Sequence, residues 1–193
     1  MKIKIAFVLL LFISATFYSC GPSTKIEKTW TDPSFTSGSA TFSKVLVMGL
    51  LKDESTRRIA EDKMVAAFKN VKAVQSYSYL QSTDTVRSQV DERLQKDGFD
   101  GVVVMRLADV DKTTSYVPGT MYGGWYGYRY ASPGYYQEDR TFYVETNLYS
   151  LKSNKLLWSG TTSSLNPSKL DKTLNDVIAA LKAQMQSQGL ISK

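Results

Sequence analysis

The chain has 193 residues, a formal net charge of +6, one cysteine and no histidine. Without imidazole, Ser-His-Asp and Cys-His catalysis within the chain are excluded, and with them zinc and copper sites built on His or paired Cys. One cysteine cannot form an internal disulfide, so stability must come from a packed core. The basic residues are dispersed without a run, which argues against nucleic acid as a partner. No phosphate-binding loop, dinucleotide fingerprint or nucleophile elbow occurs, and no cofactor is expected.

Residues Met1 to Lys4 are basic, and Ile5 to Ile13 form an unbroken apolar run. That run is far short of the ~20 residues a spanning helix needs, and reads as part of an export signal over residues 1–19. Phe17-Tyr18-Ser19-Cys20 then resembles a bacterial lipoprotein lipobox. The resemblance implies cleavage before Cys20 and acylation of that residue; the alternative is an ordinary secretory signal with an incidental cysteine. Residues 20–42, rich in Ser, Thr, Gly and Pro, read as a tether from membrane to domain. Within it, Ile26 to Trp30 has the pattern of an edge strand, and Trp30 is expected to dock on the domain.

The ordered pattern occupies residues 43–193 as one domain. Val45 to Leu50 is a continuous apolar run, as in a strand buried on both faces. Asp53-Glu54-Ser55 caps a helix running to about Asn70, with Ala60, Met64, Ala67 and Phe68 on one face. On that helix, Arg57 with Glu61 and Arg58 with Asp62 have i,i+4 spacing and are expected to pair on a solvated face. Ala73 to Leu80 alternates as a strand. A second helix carries Val86, Val90 and Leu94 and ends at Gly98. Val102 to Met105 opens a third strand reaching about Asp111. After a long loop, Phe142 to Tyr149 and Leu156 to Ser163 form a strand pair around the turn at Lys152 to Lys155. A last helix begins near Asn166 and buries Leu170, Leu174, Val177, Ile178, Leu181 and Met185 before Gly189. The order β-α-β-α-β-β-β-α predicts an α+β fold, a mixed sheet with helices packed on it, in which the strand near residue 46 lies between those near 75 and 104.

Lys44-Val45-Leu46-Val47, Arg57 to Asp62, Gln75-Ser76-Tyr77, Gly98 to Val104 and Leu157-Trp158-Ser159-Gly160 together resemble a family of uncharacterised bacterial lipoproteins. More distantly, the β-α-β-α-β half is similar to the envelope module of curli-secretion lipoproteins and of lipoprotein activators of peptidoglycan synthases. The resemblance implies an envelope location and a role in binding or assembly, without naming a biochemical activity. Gly21 stands where enterobacterial lipoproteins retained in the inner membrane carry aspartate, so the outer membrane, periplasmic face, is the expected address in a two-membrane cell.

Residues 113–139 read as one long aromatic loop. Between Tyr116 and Tyr136 lie seven tyrosines, Trp125 and five glycines, with Pro118 and Pro133 as interruptions. Loops of this length without their own secondary structure are usually functional or disordered. Tyrosine supplies amphipathic area at low entropic cost and glycine lets the backbone reshape, the pairing that binding surfaces use. Tyr122, Trp125, Tyr126, Tyr128, Arg129, Tyr130, Tyr135 and Tyr136 are the candidate binding residues, for an envelope protein, peptidoglycan or a membrane surface. Burying two or three such rings contributes on the order of several kcal/mol before ordering costs. A loop merely folded over the domain is the plainer possibility. Asp109 and Asp111 lack the ligand ladder of a cation site, so no metal is expected. The expected function is therefore non-catalytic, with a carboxylate-dependent hydrolase or transferase using Asp109, Asp111 and Glu145, or a structural subunit of an oligomer, as alternatives.

Overall fold

The two apolar runs become neighbouring parallel strands. The computed structural model describes residues 24–35, 42–81, 84, 87–119, 121–123 and 129–191, without the side chains of residues 87, 121–123 and 129–131. The signal 1–19, Cys20 and Val86 lie outside the described residues. Strand β2 (Lys44–Leu50) pairs in parallel with β4 (Gly101–Val117) on one side and with β3 (Lys72–Gln75) on the other. Val45, Leu46 and Val47 are all buried because helices cover both faces there. β4 also pairs antiparallel with β7 (Tyr135–Ser150), which pairs with β8 (Lys155–Leu165), and β1 (Thr24–Thr31) closes the far edge. The sheet order is β1-β8-β7-β4-β2-β3, the mixed α+β architecture expected, with the strand at residue 46 between its two parallel partners.

Helix α1 (Glu54–Ala67) begins where Asp53 accepts the Thr56 amide at 2.7 Å. With α4 (Leu170–Ser187), it covers one face of the sheet. Met64, Val103, Met105, Leu148, Leu181 and Met185 share that core. Leu170, expected in the stripe, is instead exposed at the first turn of α4. Trp158 is fully buried here and its indole N–H donates to Gln188 Oε1 at 2.5 Å. A Cβ on Gly160 would overlap that ring, so the glycine makes room for the tryptophan. The other face carries α3 (Arg87–Lys96) and the single helical turn α2 (Ser76–Tyr79), over Leu46, Leu94, Phe99 and Leu151.

Three local expectations need correction. The strand read over Ala73 to Leu80 stops at Gln75, and the next four residues are helical. The cause is Glu61, which is fully buried rather than solvated. Its carboxylate accepts the Gly49 amide at 2.9 Å, the Ser76 hydroxyl at 2.8 Å and the Tyr77 amide at 3.2 Å, so it caps α2 from another helix. Arg57 pairs with it at 3.6 Å, as the i,i+4 spacing predicts, though the carboxylate is buried; Arg57 and Arg58 also both bond Glu54 at 2.8 Å, and Asp62 accepts from Gln75 and Tyr77. The third is the extent of the tether: the edge strand expected at Ile26 to Trp30 is present but longer, Thr24 to Thr31, leaving three residues between Cys20 and the start of the sheet. Trp30 joins through its backbone, and its side chain is 46% exposed.

Replacing Glu61 by Ala strands two backbone amides and a hydroxyl in the interior, and a loss of about 3 kcal/mol in urea unfolding is expected. Glu54 gives a pH signature. Its hydrogen bonds to Arg57 and then Arg58 lower its carboxyl from 4.5 to about 2. A depressed native value contributes stability above the unfolded value, lost as pH falls through the native one. Glu54→Gln should therefore flatten the fall in urea midpoint between about pH 5 and pH 2, and leave the profile above pH 6 unaltered in shape.

Candidate functional site

The feature that rises above the scaffold is the continuation of β4 and β7 beyond the sheet. β2 ends with Leu50 opposite Arg106, and β8 ends with Leu165 opposite Thr141. From there, residues 112–117 and 135–140 run on as a two-stranded ribbon in unbroken register, Lys112 opposite Arg140 through Val117 opposite Tyr135. At ~3.4 Å per residue the ribbon extends about 20 Å past its neighbours. A bulge between Leu107 and Asp109 increases the local twist below the point where it leaves.

The ribbon is braced at its root by Asn166, which occupies the left-handed region at φ 45°. Its side-chain oxygen accepts the Arg140 amide at 2.8 Å, its amide nitrogen donates to Asp139 at 2.7 Å, and its own backbone N–H donates to the Arg140 carbonyl at 2.8 Å. Gln137 also donates to Asp139 at 2.9 Å, and Arg140 donates to Glu138 at 2.6 Å. Asn166 and then Gln137 hold the Asp139 carboxyl below its ordinary range, and Arg140 does the same for Glu138. Charged residues along both free edges also discourage pairing with a stray strand.

Tyrosine crowns the ribbon. Tyr116 and Tyr136 are opposed in register with ring centroids 5.1 Å apart and planes tilted by 53°. They remain 57% and 75% exposed, and Tyr135, on the opposite ribbon face, is 58% exposed. Gly134 holds this arrangement: a Cβ there would overlap the Tyr116 hydroxyl, and one on Gly119 would overlap the Ser132 carbonyl. Beyond it, β5 (Met121–Gly123) and β6 (Arg129–Ala131) pair antiparallel, with Tyr122 opposite Tyr130 and Gly123 opposite Arg129.

The expected loop over residues 113–139 is thus a ribbon at both ends and a short hairpin within. Pro118 and Pro133 fall just outside β4 and β7, where proline interrupts no ladder. Of the candidate residues, Tyr135 and Tyr136 lie on the ribbon and Tyr122, Arg129 and Tyr130 lie in the hairpin backbone. Trp125, Tyr126 and Tyr128 lie outside the described residues. Tyr116 belongs to the cluster as fully as Tyr136; its register could not be seen while the segment read as a loop.

Asp109 accepts its neighbour Val110's amide at 2.8 Å, and Glu145 bonds Arg106 at 2.8 Å and Asn147 at 2.7 Å. The Asn147 amide, followed by Arg106, keeps the Glu145 carboxyl below its ordinary range. Among the described residues no group of three or more acidic side chains has metal-binding geometry. A separate cleft of about 500 Å³ lies between α3 and the sheet, walled by Met48, Leu50, Val90, Val104 and Tyr149 with Asp84 and Asp91 beside them. Its size falls in the range of small-molecule pockets. The pattern of the elements masked it, since its apolar residues read as ordinary sheet interior or as the buried stripe of a helix.

No protein-family model and no curated protein matches the chain. Among solved structures, it is similar to the PelC dodecamer from Paraburkholderia phytofirmans, with 12% identity and a TM-score of 0.44 over 88% of this chain and 99% of that one. It is similar to lipoprotein GNA1162 from Neisseria meningitidis, with 14% identity and a TM-score of 0.41 over 75% of this chain and 99% of that one. A PDZ domain protein from Parabacteroides distasonis matches with 11% identity and a TM-score of 0.35, over 85% of this chain and 35% of that one. At these TM-scores the likenesses bear no functional weight.

Gly134→Val tests the packing at the ribbon end. The added side chain should drive the Tyr116 ring away from Tyr136, read as loss of their mutual ring-current shifts by NMR. The urea stability should stay within about 0.5 kcal/mol of the parent, because the ribbon lies outside both cores.

Proposed function

We propose that this chain is a lipid-anchored, non-catalytic domain of the bacterial cell envelope that acts by binding, with the β4–β7 ribbon as its binding element. The observation that carries the reading is the ribbon itself. A two-stranded hairpin without a covering layer is marginal in water, yet this one is built at length, braced by Asn166 and tipped with three exposed tyrosines. Such rings on a projecting support favour a surface to be met rather than a core to be filled.

The anchor rests on the export signal and Cys20, and Gly21 favours the outer membrane with the domain on its periplasmic side. Partner surfaces within reach of such a domain are an envelope protein, peptidoglycan and the bilayer. Asp109 accepts its neighbour's amide and Glu145 is bonded to Arg106 and Asn147, arrangements that favour structural roles for these two carboxylates.

The test is made in cells on the full chain. Globomycin should block processing, and palmitate label should enter the parent but not Cys20→Ala. A photocrosslinking residue at Thr113 should yield adducts with an envelope component, lost when the ribbon end, residues 115–137, is deleted. Loss of phenotype in Asp109→Asn, Asp111→Asn or Glu145→Gln, with the deletion harmless, would replace this reading by the enzymatic one.

A further inference from the structure

The ribbon and the first residue of β1 lie at the same end of the domain. Thr24, the first residue of β1, is opposite Ser164; Ser164 is opposite Phe142; Phe142 is opposite Val110. These four residues form one row across the sheet, and the ribbon departs two residues beyond it. Cys20 precedes Thr24 by four residues, a reach of at most about 14 Å. From Thr24 to β7 is two strand spacings, or about 10 Å. The ribbon rises about 20 Å from the same row. The turn joining β7 to β8 at residues 151–154 lies about 30 Å away at the opposite end. A lipid on Cys20 therefore holds the domain by its ribbon end.

The chemistry of the ribbon changes along its length in the direction this placement requires. Asp111, Lys112, Glu138, Asp139 and Arg140 carry charge at its root. Ser115, Tyr116, Val117, Tyr135, Tyr136 and Gln137 at its end carry none, and Arg129 is the only charged residue in the sequence from 115 to 137. Charged groups set back from a band of exposed tyrosines match the polarity gradient of a bilayer surface, where aromatic rings settle at headgroup depth. A protein or glycan partner requires no such ordering along the ribbon.

Resting on the lipid-anchor reading above, we propose that the end of the β4–β7 ribbon seats in the headgroup layer of the membrane that holds Cys20, with Tyr116, Tyr135 and Tyr136 as interfacial anchors. The seat is interfacial rather than spanning, since β5 and β6 have three residues each and a crossing strand needs about 9–11. The second attachment point fixes the domain's orientation, so that the turn at 151–154 and the open end of the sheet face away from the bilayer.

The acylation of the only native cysteine leaves an introduced thiol as the sole reactive one. Ser115→Cys at the ribbon end and Lys152→Cys at the far turn are each labelled with a fluorophore on the full mature lipoprotein. Each is reconstituted into phosphatidylethanolamine–phosphatidylglycerol vesicles containing a headgroup-nitroxide lipid. Quenching is expected to be several-fold stronger at 115 than at 152, and to fall in a Tyr135→Ser, Tyr136→Ser double variant whose circular dichroism is unchanged. Equal, weak quenching at both sites on protein whose Cys20 is acylated by mass spectrometry overturns the seating and leaves the anchor standing, as expected if the tip meets a protein or the wall. Quenching unaffected by loss of the tyrosines overturns their role as anchors. Unmodified Cys20 overturns both readings together.

Discussion

The long antiparallel pairing of β4 with β7 is the interaction on which the rest of the molecule depends. It joins the parallel half, β3-β2-β4, to the antiparallel half, β7-β8-β1. Its first turns are core: Val103 opposite Leu148 and Met105 opposite Thr146, all buried under α1 and α4. Its last turns are the ribbon. The register set by buried pairs at one end is transmitted through the ladder to the tyrosines at the other, because a slip by one residue would turn every core side chain to the wrong face. The apolar core therefore determines which side of the ribbon Tyr116 and Tyr136 share.

Polar burial performs the complementary task of fixing neighbours that hydrophobic packing leaves free. Glu61 ties α1 to the end of β2 and to the start of α2 through a single carboxylate. Gln188 does the same for the chain beyond α4, accepting from Trp158 while its amide reaches Thr29 of β1 at 3.4 Å. Such contacts add little net energy when formed and cost several times more when half-removed, so they specify arrangement more than they add stability. The β1 edge, held partly by such contacts, is the strand whose first residue, Thr24, lies at the ribbon end of the sheet.

Where a residue's environment is set by its own neighbours in sequence, the chain is legible. Val45 to Val47 and Val102 to Met105 read as strands of the sheet interior, and the stripe from Leu174 to Met185 reads as one helix face, because burial dictates their composition; Leu50, read in the same run, is exposed where β2 ends. Residues 76–79 read wrongly because Ser-Tyr-Ser-Tyr alternates like a strand, while the group that makes them helical is fifteen residues away on α1. Glu61 reads as a surface charge for the same reason: i,i+4 spacing finds Arg57, but nothing in that spacing reveals the amides of Gly49 and Tyr77. The ribbon reads as a loop because a strand with solvent on both faces has no in-out alternation. Its residues, Lys-Thr-Thr-Ser-Tyr-Val and Tyr-Tyr-Gln-Glu-Asp-Arg, are polar or amphipathic on either side. Its aromatic character was visible, but its direction was not.

That direction is what converts a composition into a mechanism. A tyrosine-rich loop on a long tether could sample any surface in the periplasm, and its chemistry alone would not select among protein, glycan and lipid. With β1 beginning at Thr24, a lipid on Cys20, as proposed, would act through residues 20–23 alone and restrict how far the ribbon could turn from the membrane. Under that proposal the effective concentration of the bilayer surface at the ribbon end would far exceed that of a diffusing partner, and weak interfacial affinity in each ring would suffice for seating. The cleft beside Met48, Val104 and Tyr149 lies on the body of the domain, apart from the ribbon, so a molecule entering it would meet a scaffold that the proposed attachments leave free.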